Sequence, residues 1–211
     1  MLHLLDDGLE AFLRAELGPA AAGLDVSFAL PDKDWAAGVN RPTLNLFLYA
    51  LSPVSSETAV GLEELERDGQ RCRRPVLPRM AFSYLVSAWV ADGRDEHRLL
   101  GAVLAVLTRT RPLEPPHLPE GLASVRPYPN LQLDMNPPDG TDLWPALGGR
   151  YHPSLSLVVN ASVDPGFAVV TAPPPEEIGL SVVDRRQPER RDRRDLRLGP
   201  DQAATSSAAR R

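Results

Sequence analysis

Apolar residues recur along this chain with two different periods, and the change from one period to the other predicts both helices and strands. Near the N-terminus, apolar residues recur at steps of three and four, and Gly18 and Pro19 follow them. The apolar positions are Leu2, Leu5, Leu9, Phe12, Leu13 and Leu17. This spacing predicts one amphipathic helix that ends at Gly18. Its apolar stripe either covers the core of the domain or binds a groove of a partner, and the sequence leaves both interpretations open.

Alternation of side chains between two faces predicts a set of β-strands. Residues 24–30 alternate, and Pro31 then begins a turn that leads to Trp35, whose ring is expected to pack back on the domain. Residues 43–51 are apolar on both faces, which places that strand in the middle of a sheet covered on at least one side. Further strands are predicted over residues 79–90, 124–135 and 154–163, with weaker pieces at 167–171 and 178–183.

A second helix is predicted in the middle of the chain, over residues 95–108. Asp95 and Glu96 lie in its first turn, where carboxylates favour the helix dipole. Its buried stripe is predicted to consist of Leu99, Leu100, Val103, Leu104, Val106 and Leu107. Residues 142–147 predict a short helix that ends at two glycines. Residues 52–78, by contrast, are polar and rich in Glu and Arg, and they predict a long loop with one or two helical turns.

These elements together predict an α+β fold in which a mixed β-sheet is flanked by helices. The main domain is expected to span residues 1–172, and a proline-rich linker with a candidate strand follows over residues 173–183. Residues 184–211 contain nine arginines, five acids and few apolar side chains, which predicts a disordered arginine-rich tail. Nine positive and five negative charges give this tail +4, so the rest of the chain carries −9 of the total of −5.

Candidate catalytic and metal-binding residues are few. Asp95, Glu96 and His97 form a cluster of titratable residues, but adjacent positions on a helix point about 100° apart and cannot converge on one metal ion. His3, His117 and His152 are isolated, and the single cysteine, Cys72, has no catalytic partner beside it in the sequence. No phosphate-binding loop, zinc motif or nucleophile motif is present. The sequence predicts no enzyme, no catalytic residue, no cofactor and no metal site.

Net charge and apolar run length argue against two further classes of partner. A charge of −5 argues against a nucleic-acid binder, and acids interleave with the arginines of the tail. No run of about 18 apolar residues occurs, and acids stand where a signal peptide needs basic residues. The chain is therefore expected in the cytoplasm, without membrane insertion and without nucleic acid.

Five segments follow one another in a recognisable order along residues 1–171. They are the N-terminal leucine helix, VSFALPDKDW, RPTLNLFLYAL, FSYLVSAWVADGRDEHRLLGAVLAVL and LWPALGGRYHPSLSLVVNASVD. This series resembles the N-terminal domain family of cap, or tail-terminator, proteins of phage-tail-like extracellular contractile injection systems. The resemblance implies a tail-terminator-like fold and a homo-oligomeric ring, usually a hexamer. It also implies that the ring lies on the end of the inner tube, binds the tube and sheath proteins, and joins the two.

One segment is a candidate for assembly contacts within such a particle. Neighbouring subunits of sheath systems exchange terminal arms as added strands, and the candidate arm here consists of Ile178, Gly179, Leu180, Ser181, Val182 and Val183. An ordinary edge strand of the same sheet explains these residues equally well. A second hypothesis for the whole chain is a soluble adaptor or assembly chaperone of the apparatus that is not retained in the particle.

Overall fold

The computed structural model describes residues 1–54, 61–67, 70–109, 112–164 and 166–170. The chain divides into two compact units. The first contains Met1–Glu63 and Pro75–Phe167, and the second contains Glu64–Arg74 and the chain from Ala168 onwards. The candidate arm of residues 178–183 and the arginine-rich tail lie outside the described residues.

Eight strands and five α-helices are present in the described ranges. The strands are β1 (Asp25–Ser27), β2 (Thr43–Pro53), β3 (Leu62–Arg67), β4 (Gln70–Pro75), β5 (Arg79–Trp89), β6 (Asn130–Leu133), β7 (Ser154–Ser162) and β8 (Val169–Val170). The helices are α1 (Leu2–Leu17), α2 (Lys33–Gly38), α3 (Gly93–Leu107), α4 (Glu120–Ala123) and α5 (Gly140–Ala146). This confirms the predicted α+β class.

A five-stranded mixed sheet forms the centre of the first unit, in the order β1-β2-β5-β7-β6. β1 runs parallel to β2, and the other neighbouring strands are antiparallel. Val86 of β5 lies opposite Leu46 of β2 on one side and Leu155 of β7 on the other. β2 and β5 are therefore inner strands, as expected for β2 from the apolar residues on both of its faces.

Helices α1 and α3 cover one face of this sheet and form the core with it. Leu5, Leu9 and Leu13 of α1 are almost completely buried, as is Tyr84 at the centre of β5. The Tyr84 hydroxyl donates a hydrogen bond to Oδ1 of Asp6 at 2.9 Å, which ties α1 to the sheet. Burial raises the pKa of the Tyr84 hydroxyl, and burial also raises the pKa of the Asp6 carboxyl. The first of the two interpretations of α1, that it covers the core, is thus confirmed.

Local sequence determines where the two long helices end and begin. α1 ends at Gly18, which has a positive φ of 52°, a conformation that costs glycine little. α3 begins after Asp92, whose Oδ1 accepts hydrogen bonds from the backbone N–H groups of Arg94 and Asp95 at 2.8 and 3.3 Å. α3 begins two residues earlier than predicted because Asp92 is the capping residue.

One predicted helix and one predicted turn were wrong in detail. Leu104, assigned to the buried stripe of α3, is 39% exposed, while Val103, Val106 and Leu107 carry the buried contacts. The predicted turn after Pro31 contains α2, because the Asp32 side chain accepts a hydrogen bond from the backbone N–H of Trp35 at 2.8 Å and starts a short helix.

Two predicted strands are shorter than their sequence patterns. β1 covers only Asp25–Ser27 of residues 24–30, and Leu30 is 43% exposed. β6 covers only Asn130–Leu133, and residues 124–129 follow the short helix α4 without pairing with a neighbouring strand. In both segments, apolar and polar residues alternate over more positions than the neighbouring strand pairs with.

The second unit contains a three-stranded sheet in the order β3-β4-β8. Cys72 of β4 lies opposite Val170 of β8 and is 4% exposed. Arg73 lies 2.6 Å from Glu64 of β3, and this guanidinium lowers the pKa of the Glu64 carboxyl. The prediction of a loop with helical turns was wrong here, because cross-strand pairing and the burial of Cys72 override the helix-favouring composition of this segment.

A helix that spans a bilayer needs about 20 predominantly apolar residues. No helix within the described ranges combines that length with that apolar character.

Candidate functional site at one end of the sheet

Three helices lie next in sequence to the strand ends that meet at one end of the five-stranded sheet. Pairing of Thr43 with Trp89 and of Ser87 with Ser154 brings the start of β2, the end of β5 and the start of β7 to this end. α2 precedes β2, α3 follows β5, and α5 precedes β7. Each of these helices has an aspartate as its N-terminal cap.

The cap of α5 illustrates how these carboxylates are held. Oδ1 of Asp139 accepts hydrogen bonds from the backbone N–H and from the hydroxyl of Thr141, both at 2.8 Å. The backbone hydrogen bond from Thr141 is the main cause that lowers the pKa of the Asp139 carboxyl. A charged carboxylate at a helix N-terminus is also favoured by the helix dipole.

An aromatic cluster of Trp35, Trp89, Trp144 and His152 fills the space between these helices and the sheet. Trp89 is at its centre, with the Trp35 ring centroid 5.3 Å away and the Trp144 centroid 6.2 Å away, both in edge-to-face contacts. The His152 ring lies flat on Trp89 at 4.1 Å, with an interplanar angle of 8°. Trp144 is completely buried. Such contacts stabilise aromatic pairs beyond the burial of their area.

His152 also makes two polar contacts through the same ring nitrogen. Nε2 of His152 lies 2.8 Å from the carbonyl oxygen of Ala88 and 2.5 Å from Oε1 of Glu96. Both partners are acceptors, so Nε2 carries the proton in this arrangement. The His152 and Glu96 side chains are 18% and 13% exposed. Because Nε2 is engaged by two acceptors, the pair joins α3 to β5 and to the segment that precedes β7.

Close packing against the cluster explains one of the glycines in the segment between α5 and β7. A Cβ atom at Gly149 would lie 3.1 Å from the carbonyl oxygen of Pro31 and 3.2 Å from the Trp144 ring. These distances are tighter than ordinary van der Waals contact, so a side chain there would push α5 away from the segment that precedes α2. The sequence LWPALGG thus encodes a buried indole and the glycine that packs on it.

The candidate titratable cluster from the sequence does not form a site. Asp95 forms an ion pair with Arg98, Glu96 contacts His152, and His97 is exposed. Their side chains go to different partners, as the angle between adjacent helix positions requires. Treating His152 as isolated was wrong, because its partners come from strands and helices far away in sequence. The signal that could have found this pair is the presence of both residues in the segments that carry the family resemblance.

The remaining candidates from the sequence have structural surroundings or lie outside the described ranges. His117 makes an edge-to-face contact with Phe12 at 5.7 Å, and Cys72 is a buried free thiol. Within the described ranges, no three His, Cys, Asp or Glu side chains are close enough to hold a metal ion. Nothing is described for the candidate arm, residues 178–183.

An open strand edge is the clearest surface feature that could join this unit to another protein. β1 pairs only with Thr43–Asn45 of β2, while β2 continues to Pro53 alongside β5. Among the described strands, none pairs with residues 46–53 on the side away from β5. Leu51 in this stretch is 53% exposed. An edge of this kind offers backbone donors and acceptors to an added strand.

Comparison with known proteins identifies the relatives of this fold. A structure described as the sheath/tube terminator of PVC, an extracellular contractile injection system in its extended state, matches with a TM-score of 0.64 and 21% identity over 87% of this chain. The tube-terminating cap of the anti-feeding prophage matches with a TM-score of 0.53 and 18% identity over 85% of this chain. No protein of curated function matches the chain.

This chain is shorter than the two relatives, and the family match covers most of it. The chain spans 64% of the PVC terminator chain and 60% of the anti-feeding prophage cap chain. At these identities, the two likenesses show the tail-terminator fold. Residues 5–177 match the family described as the Pvc16 N-terminal domain. Since this match covers most of the chain, including most of α1, the whole five-stranded sheet and the aromatic cluster, the chain belongs to the Pvc16 N-terminal domain family.

Proposed function

We propose that this chain is the cap of a contractile injection system, in which a ring of six copies ends the inner tube and joins it to the sheath. The observation that carries the proposal is the fold shared over 87% of this chain with a protein described as a sheath/tube terminator. The family match over residues 5–177 rests on the amino-acid sequence alone and also supports it. The chain acts by binding its neighbours and carries out no catalysis.

The three segments predicted from the sequence have different parts in this proposal. Residues 1–172 form the cap body, residues 173–183 provide a linker with a strand arm, and residues 184–211 form a charged tail. The body meets the last layer of tube subunits and the end of the sheath. The protein is made in the cytoplasm and then becomes part of the particle.

The candidate arm and the open edge of β2 complement each other. Ile178, Leu180 and Val182 are separated by Gly179 and Ser181, as in a strand with one apolar face. The unpaired stretch of residues 46–53 is long enough to accept a strand of six residues. In the ring, the arm of one subunit adds to the β2 edge of its neighbour, which satisfies backbone groups on both.

Purified particles from the native host test the cap proposal. Mass spectrometry should find this chain at one ring of six copies per particle, and deletion of its gene should give tubes or sheaths of abnormal length by electron microscopy. Restoring the gene should restore normal length. Absence of the chain from intact particles of normal length would overturn the proposal and favour an adaptor or assembly chaperone.

A proline substitution tests the arm. Leu180→Pro removes a backbone N–H from the added strand and should lower ring assembly, measured by analytical ultracentrifugation and by particle length. Ala204→Pro, in the tail, is the matched control and should assemble normally. Equal assembly of the two variants would argue against strand exchange while leaving the cap proposal intact.

A further inference from the structure

A shallow apolar groove lies in the first unit, beside the exposed side of α3. Its volume is about 490 Å³, and its apolar walls include Leu24, Pro42, Val90, Leu99 and Ala102. Leu24 is buried beneath it, while Val90, Leu99 and Ala102 are half-buried. The groove therefore presents apolar area to solvent at the end of the sheet where α3 begins.

Acidic side chains lie on the rim of this groove. Asp92 and Asp95 are on the rim, with Arg98, and Arg98 is already paired with Asp95. The surface continues past Pro42 into neighbouring depressions lined by Asp25, Asp34 and Arg41. Four carboxylates against two guanidinium groups leave this continuous surface with a charge of −2. An apolar floor with an acidic rim fits a ligand that is both apolar and basic.

A segment of this chain has that composition. Residues 190–198, RRDRRDLRL, contain five arginines and two aspartates, and they therefore carry +3. Leu196 and Leu198 flank Arg197, so an extended backbone would place both leucines on one side and the arginine on the other. Residues 171–189 connect β8 to this segment and can span roughly 60 Å when extended, at about 3.3 Å per residue. That reach is sufficient to meet another molecule.

We propose that the groove beside α3 binds residues 190–198 of a second copy of this chain. Leu196 and Leu198 occupy the apolar floor, and the arginines face Asp92, Asp95 and the acids beyond Pro42. The opposite charges of body and tail, −9 and +4, favour this contact between copies. It links neighbouring subunits at a place different from the edge of β2. The proposal does not rest on the cap function, because it requires only that two copies meet.

Disulfide trapping between two full-length variants tests this contact. One variant carries Ala102→Cys in the groove, and the other carries Leu198→Cys in the tail and a different affinity tag. Mixing them under mild oxidation should give a disulfide-linked heterodimer on non-reducing gels. Ala105→Cys, at an exposed position of the same helix, is the matched control and should give several-fold less heterodimer. Native Cys72 is buried and is present in every sample.

Salt and a charge change separate this contact from random collision. Because exposed charges are screened by salt, the heterodimer yield should fall as sodium chloride is raised. Introducing Arg193→Glu and Arg194→Glu into the tail variant should lower the yield several-fold.

Equal yields from the Ala102→Cys and Ala105→Cys variants would overturn the proposal. A second contradicting outcome concerns the double variant Ala102→Cys with Leu198→Cys. If its disulfide formed within one chain at every protein concentration, the tail would bind the groove of its own copy. Should Ala102→Cys misfold, Pro42→Cys on the facing wall gives the same readout.

Discussion

Oε1 of Glu96 lies 2.5 Å from Nε2 of His152, although the two residues come from different family motifs and from opposite sides of α5 in the sequence. One belongs to the first turn of α3, and the other precedes β7. The contact joins the segments DEHRLLG and LWPALGGRYHPSL, which carried the family resemblance. Their shared presence in the family pattern thus has a physical reason, because each segment completes the packing of the other.

Replacing His152 tests how much this contact stabilises the fold. His152→Phe keeps a flat ring on Trp89 but removes the donor to Glu96 and to Ala88, and it leaves a largely buried carboxylate without this partner. We expect the free energy of unfolding to fall by about 1–3 kcal/mol in urea titrations followed by circular dichroism. His97→Phe, at an exposed position of α3, should change it by less than about 0.5 kcal/mol. Equal effects would show that the pair contributes nothing specific.

Two glycine substitutions should have opposite effects on stability. Gly149→Ala places a Cβ atom 3.1 Å from the Pro31 carbonyl oxygen and should lower the free energy of unfolding by about 1–3 kcal/mol. Gly101→Ala, on the exposed side of α3 with open space around it, should raise the free energy of unfolding by up to about 1 kcal/mol. Thermal unfolding of both variants distinguishes them directly, and a stabilising Gly149→Ala would contradict the packing described for Trp144.

The alkaline stability of the protein should depend on Tyr84. The folded-state pKa of its hydroxyl is raised above the ordinary value of 10.0, so above pH 10 the unfolded chain loses this proton while the folded chain keeps it. The contribution of Tyr84 to the free energy of unfolding is fully present below pH 10. It decreases as the pH rises above 10, by up to about 1.4 kcal/mol per pH unit.

A comparison of two tyrosine variants isolates that dependence. Tyr84→Phe should flatten the decrease of the free energy of unfolding above pH 10, although its stability near neutrality is lower because Asp6 loses a donor. Tyr151→Phe, at a tyrosine that is 67% exposed, should keep the slope of the unmodified protein. Urea titrations at several alkaline pH values give the slopes, and parallel slopes for all three proteins would refute the assignment.

Two leucines of α3 should differ in the cost of truncation. Leu107 is 3% exposed and Leu104 is 39% exposed. Leu107→Ala should lower the free energy of unfolding by about 2–5 kcal/mol, since it opens a cavity in the core. Leu104→Ala should cost less than about 1 kcal/mol. If Leu104→Ala lowered the free energy of unfolding of the isolated chain as much as Leu107→Ala, Leu104 would belong to the buried stripe that periodicity predicted.

The sequence was sufficient where one local signal determined the structure. The steps of three and four in α1, with Gly18 at its end, gave the bounds of that helix, and the two-sided apolar pattern of β2 gave an inner strand. Local signals failed where partners are distant. Residues 62–75 favour a helix by composition, but β3 and β4 become strands because they pair with each other and, through Cys72, with β8.

The candidate site was the least predictable part for the same reason. Trp89, Trp144 and His152 meet only after the sheet has brought the end of β5 beside the start of β7. Periodicity describes which face of an element is buried, and it does not state which residues from two elements meet there. The family resemblance supplied that information indirectly, by marking both segments as parts of one pattern.

All three tryptophans of the chain belong to the aromatic cluster. The indole fluorescence of this protein therefore reports on one end of one sheet and on no other place. The imidazole stacked on Trp89 adds a quencher whose effect changes when the His152 ring moves away from the indole. Binding of a partner at this end should shift the emission, whereas events at the edge formed by residues 46–53 should be silent. Tryptophan fluorescence can thus distinguish binding at this end of the sheet from binding at the edge of residues 46–53 without any added label.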